Sequence, residues 1–118
     1  MARRYKFYAA ETGTAYQYFF AGSRRVSRPE GQGAGSDYIF VVTPDQRTPF
    51  ILRVFISARA LAVWREIHGR DLDTNEMYAA AKMRLFQAFD QIEALRGHGL
   101  NLLVDESNVT DLLEPLGL

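Results

Sequence analysis

In the first half of the chain apolar residues come at strand-like spacing or in short continuous runs between turn residues. In the second half they recur at helical spacing. These periods predict strands first and helices afterwards. Tyr5 to Ala10 reads as an aromatic-rich strand, and Thr12-Gly13-Thr14 as a turn. Ala15 to Ala21 reads as a second strand, with Tyr16, Tyr18 and Phe20 on one face and Gln17 and Phe19 on the other. The short glycine-centred gap makes the two a hairpin. Gly22 to Ser36 shows no period and combines glycines, Pro29 and three arginines. It is expected to be a long flexible loop, of the kind that carries function or stays unstructured. Tyr38 to Val42 is continuously apolar, which predicts a central, buried strand. Phe50 to Ile56 is the fourth strand. There Arg53 shares a face with Ile51 and Phe55, so that face is expected to be the less buried one.

The fourth strand runs into Ser57, whose hydroxyl is placed to cap a helix. Ala60, Leu61, Trp64, Ile67 and His68 then mark one helical face, and Gly69 ends it. The Thr48–Gly69 stretch holds the densest apolar material in the chain. Asp73 and Glu76 have the spacing of a capping box. The helix that follows is predicted over Thr74–Arg96, with Met77, Ala81, Leu85, Ala88, Ile92 and Leu95 as its stripe and Gly97 and Gly99 beyond it. Leu100 to Val104 reads as a short fifth strand, and Val109 to Leu113 as a last helical turn before Pro115. The order β-β-β-β-α-α-β-α predicts an α+β fold. The expected form is a two-layer sandwich: a mostly antiparallel sheet of four or five strands with two main helices on one face. The pattern does not fix where the fifth strand joins.

The length of 118 residues fits one domain spanning 1–118, with the glycine- and arginine-rich loop at 22–36 as its flexible part. The chain has no cysteine, which excludes disulfides, thiolate metal sites and cysteine nucleophiles. No apolar run approaches the roughly 18 residues of a membrane span, so no membrane partner is expected. The basic start, Arg3-Arg4, is followed by no signal-peptide apolar core, because Lys6 and Glu11 interrupt it. The expected location is cytoplasmic. Formal net charge is zero, but it is unevenly spread. Residues 1–36 carry six bases and two acids, net +4; 37–70 five and three, net +2; 71–118 three and nine, net −6. Such asymmetry points to a charged partner or to two halves that face each other.

The strongest binding candidates are Arg24, Arg25 and Arg28 on the glycine-rich segment, since arginine forks match phosphate geometry. If Tyr16 and Tyr18 face solvent beside them, they form a stacking platform for single-stranded nucleic acid. The competing reading makes those tyrosines core and the arginines solubilising. Gly31-Gln32-Gly33-Ala34-Gly35 lacks dinucleotide-loop spacing and precedes a strand, not a helix. His68 and His98 lie near helix ends, and Asp71 and Asp73 follow His68 at no established metal spacing. Ser57 and Ser107 lack the context of a nucleophile. Trp64 reads as a core anchor, and Asp105, Glu106, Asp111 and Glu114 as an acidic surface.

No catalytic residue, metal ligand or cofactor site is therefore assigned. The reading this leaves first is a small binding domain acting through protein–protein contact, including self-association. A nucleic-acid module using Arg24, Arg25, Arg28, Tyr16 and Tyr18 comes second. An enzyme with a histidine and carboxylate site assembled only by folding comes third.

Overall fold

The computed structural model describes residues 5–28, 33–92, 95 and 101–118. Its sheet has five strands in sequence order: β1 (Lys6–Ala9), β2 (Ala15–Arg28), β3 (Gly33–Pro44), β4 (Phe50–Ser57) and β5 (Asn101–Val104). The first four are antiparallel, and β5 lies parallel to β4, with Val54 opposite Leu102. Helices α1 (Ala58–His68) and α2 (Thr74–Gln91) make the crossover, and α3 (Val109–Leu113) with a 3-10 turn at Glu114–Leu116 closes the chain. The expected α+β sandwich is present, and the fifth strand takes an edge.

One face of the sheet carries the core. Tyr16 and Tyr18 of β2, Tyr38, Phe40 and Val42 of β3, Leu52, Val54 and Ile56 of β4, and Leu102 and Val104 of β5 are all buried in a single cluster. Against them lie Ala60 and Trp64 of α1, Ala81, Leu85, Ala88 and Phe89 of α2, and Leu112 and Leu113 of α3. The small residues of α2, Ala80, Ala81 and Ala88, bring its backbone close to the strands. Its Phe89 stacks on Tyr16 at 4.1 Å between ring centroids, and its Phe86 stacks on Tyr8 at 4.5 Å. Stacked rings of this kind add about 0.5–1.5 kcal/mol beyond their buried area.

The helix boundaries follow their sequence signals at three of four ends. Ser57 Oγ accepts from Ala60 N at 3.0 Å and starts α1. Gly69, left-handed at φ 74°, ends it. The Asp73–Glu76 capping box is complete in both directions and starts α2. The fourth end differs: α2 stops at Gln91, because Ile92 turns to φ −115°, ψ 105°. No glycine or proline marks that exit. Leu95 is nevertheless buried in the core.

The larger difference concerns 22–36. Residues 22–28 and 33–36 are not a loop; they are the far halves of β2 and β3, paired from Gly22–Ile39 to Arg28–Gly33. A bulge at Ala21 interrupts the register between Phe20 and Gly22. Gly22 takes φ 146° there, a conformation that side chains rarely tolerate. The bulge reverses the alternation. Before it even-numbered residues face the helices; after it odd-numbered ones do. A reading by strict alternation therefore loses the strand at this point. Gly31 and Gln32 of the glycine run, and His98 with Arg96, Gly97 and Gly99, lie outside the described residues.

Beyond packing, one polar latch ties the first hairpin to α2. Tyr8 Oη donates to Asp90 Oδ2 at 2.6 Å, and Glu11 N donates to Asp90 Oδ1 at 2.9 Å. The hydrogen bond to Asp90, and burial after it, push the Tyr8 phenol up from 10.0 to about 12. The unfolded phenol ionises first as pH rises, so the unfolded state loses a proton that the folded state keeps. The latch contributes fully below pH 10, and its contribution is lost as pH rises towards 12. Urea midpoints are expected to fall across this window in the native chain and to fall less in Tyr8→Phe. An equally steep fall in the variant would place the loss elsewhere.

Candidate functional site: the open face of the sheet

All three helices pack on one side, so the other side of the sheet has no layer on it among the described residues. Its outward residues follow from the register. One row crosses Phe7, Gln17 and Thr43. The next crosses Phe19, Val41 and Ile51, with Tyr5 edge-on to Phe19 at 5.0 Å. A third crosses Gly22, Ile39 and Arg53; a fourth crosses Arg24, Asp37, Phe55 and Leu103. Val26 and Gly35 follow, then Arg28.

An antiparallel sheet with one solvent-facing side normally alternates apolar-in with polar-out. Here the rows through Phe7 and Phe19 carry no charged side chain. Phe7 is 72% exposed, Ile51 55% and Tyr5 45%. Phe19, Ile39 and Val41 beside them are half-buried. The opposite end of the same face is cationic, with Arg24, Arg28 and Arg53 around one acid, Asp37.

That cationic end has its own small core. Asp37 is a buried carboxylate, its side chain only 3% exposed. The Arg28 guanidinium reaches it at 2.6 Å and lies 4.8 Å from the centre of the Phe55 ring. Phe55 is thus buried on a face that has no second layer among the described residues. Gly35 makes room for the ring: a Cβ on it would sit 2.5 Å from Phe55 Cζ. So Gly35 serves close packing within a strand and no loop of the dinucleotide kind.

The binding residues singled out by sequence do not come together on one surface. Tyr16 and Tyr18, at 2% and 3% exposure, are core and offer no stacking platform. Burial pushes the phenols of both up. Their position follows from α2, whose Phe86 and Phe89 fill the space above them. The three arginines do not converge. Arg24 and Arg28 point to the open face and Arg25 to the helix side, because strand residues alternate. Arg28 is spent on Asp37. The residues that sequence reasoning passed over are Tyr5, Phe7, Phe19 and Ile51. The available signal was parity: Phe7 and Phe19 alternate with the tyrosines that α2 covers.

The histidine and carboxylate candidates disperse as well. His68 stacks on Trp64 at 4.1 Å, and the Arg70 guanidinium lies 4.9 Å from the same tryptophan ring. Asp71 pairs with Arg65 at 3.6 Å, and Asp73 caps α2. Among the described residues no group of three or more histidines and carboxylates could hold a metal ion. A shallow groove along α1 holds Arg65, Glu66 and Asp71, of which Arg65 and Asp71 already pair. Among the described residues no helix is long and apolar enough to cross a membrane. The chain matches no family model, no curated protein and no solved structure.

Two substitutions probe the cationic end. Arg28→Ala is expected to cost about 3–5 kcal/mol, because it leaves the Asp37 carboxylate buried without its cation. Arg28→Met with Asp37→Leu should recover much of that loss in urea unfolding followed by Trp64 emission; no recovery would mean the pair itself is the source of stability. Gly35→Ala is expected to cost about 1–3 kcal/mol through overpacking against the Ile56 carbonyl oxygen and the Phe55 ring. A near-native midpoint for it would show that both the ring and the β4 backbone at Ile56 give way freely.

Proposed function

We propose that this protein is a small binding domain that works by protein–protein contact, and that the open face of its sheet docks on a second copy of the chain. The observation that carries the reading is the uncharged patch of Tyr5, Phe7, Phe19, Val41 and Ile51, with Phe7 72% exposed. Large contiguous apolar patches beside polar residues mark interaction sites. Segregation of charge favours a like partner. A two-fold axis through the patch lays apolar rows on apolar rows, as sheets pack face to face about 10 Å apart. The same axis carries Arg24, Arg28 and Arg53 to opposite ends of the assembly, so like charges do not meet.

The nucleic-acid reading keeps one support of its own. Phe7, Phe19 and Arg24 share the open face, and aromatic rings beside cations on a sheet suit single-stranded bases. Against it stand the burial of Tyr16 and Tyr18 and the divergence of Arg25 from Arg24. The third reading, an enzyme, would need His68 and carboxylates brought to one place, whereas Asp71 and Asp73 are engaged elsewhere.

Light scattering across a concentration series tests the reading. The native chain should show a dimer that Phe7→Asp with Ile51→Asp converts to monomer, the double variant keeping the Trp64 emission of the fold. Both sites are exposed, so the core is untouched. A native chain that is monomeric throughout would overturn the proposal. Retention of an oligo-dT strand through Phe7 and Arg24 would move it to the nucleic-acid reading.

A further inference from the structure

A second surface is carried by the edge of β2, independently of the open face. Among the described residues β1 pairs with β2 from Ala15 to Tyr18, while β2 continues to Arg28. Among the described residues no strand lies against that side of β2 beyond Tyr18. The far half is not slack. It is held in register by β3 down to Arg28–Gly33, and β3 is held in turn by β4 down to Gly35–Ser57. A strand fixed on one side and open on the other presents a row of backbone donors and acceptors, and such an edge can pair with another extended segment.

The side chains select the segment. β2 carries Arg24, Arg25 and Arg28 and no acidic residue along its whole length. Arg24 and Arg25 are both exposed and lie on opposite faces of the strand. An added strand therefore meets a cation on each of its faces. A second copy of β2 is a poor guest. Paired antiparallel about Arg24 or about Arg25, it sets that exposed arginine against its own copy, and directly opposed like charges destabilise a strand pair. The arginines thus guard the edge against self-assembly and favour an extended strand rich in acids.

We infer that the Arg24–Arg28 edge of β2 accepts an acidic, extended peptide segment as an added strand. The main-chain ladder supplies the binding and the two exposed arginines supply the choice of acidic over neutral or basic sequences. The site does not depend on the apolar patch, so it works equally in a variant that no longer self-associates.

The test uses the full chain and a fluorescein-labelled peptide repeating Thr-Glu-Glu-Val, which offers acids on both faces of a strand. Anisotropy should report binding that salt weakens. Amide resonances of Ser23 to Arg28 should shift and become protected from exchange. The same peptide with Gln for Glu should bind weakly. Arg24→Glu with Arg25→Glu should weaken the acidic peptide about tenfold or more, the scale of two opposite-charge cross-strand pairs becoming like-charge pairs. The milder Arg25→Gln should give an intermediate loss. A peptide N-methylated at alternate residues keeps every charge but loses the ladder, and should not bind. Equal binding of the N-methylated or the Gln peptide would overturn the inference. So would displacement of the acidic peptide by oligo-dT at lower concentration, which would make the edge a nucleic-acid site.

Discussion

The stacking of Phe86 and Phe89 on Tyr8 and Tyr16 sets the rest of the molecule. It commits the even-numbered residues at the start of β2 to the core. Strand geometry leaves no freedom after that, because a slip of one residue would exchange the two faces entirely. Gln17 and Phe19 are therefore outward, and pairing to β3 and β4 carries the same parity to Val41 and Ile51. The apolar open face is thus a consequence of how α2 seats on the hairpin. It does not arise from a separate element.

The two faces of the sheet solve burial in different ways. Towards the helices, a continuous cluster of rings and aliphatic side chains shields the strands. On the other side, burial is local and partly ionic. Arg28 spreads over Phe55 and neutralises Asp37, and Gly35 lets the ring lie down. This small roof ends where the uncharged rows begin. The molecule therefore has one sealed face and one face that is sealed at a single end.

Much of the fold was legible in the chain. Ser57, the Asp73–Glu76 box and Gly69 act through local hydrogen bonding and backbone geometry, which are written in a few adjacent residues. The first hairpin and the buried third and fourth strands follow from apolar runs. The far halves of β2 and β3 were not legible, because Gly, Ser and Arg are weak strand formers and the Ala21 bulge breaks the alternation that would have revealed them. Their extended state is imposed by the ladder to β4. The end of α2 at Gln91 was hidden for a related reason: Ile92 leaves the helix with no local breaker. For the surfaces, the arginines were visible as residues but not as directions. Whether an aromatic strand face is core or contact depends on which side the helix chooses, and that is decided by residues some seventy positions away in α2.

The Ala21 bulge has a consequence for how this hairpin can change over time. It works as a frame shift within a strand. Losing that one residue would leave an unbroken ladder, with Phe20 still opposite Phe40, Gly22 opposite Ile39 and Arg24 opposite Asp37; adding one elsewhere without a bulge would turn Arg24 and Arg28 towards the helix layer. Changes of even length in the far half of β2 slide the cations along one side; changes of odd length swap the sides. The arm should therefore tolerate growth or shortening in pairs of residues, and a single extra residue only where a bulge absorbs it, as at Ala21.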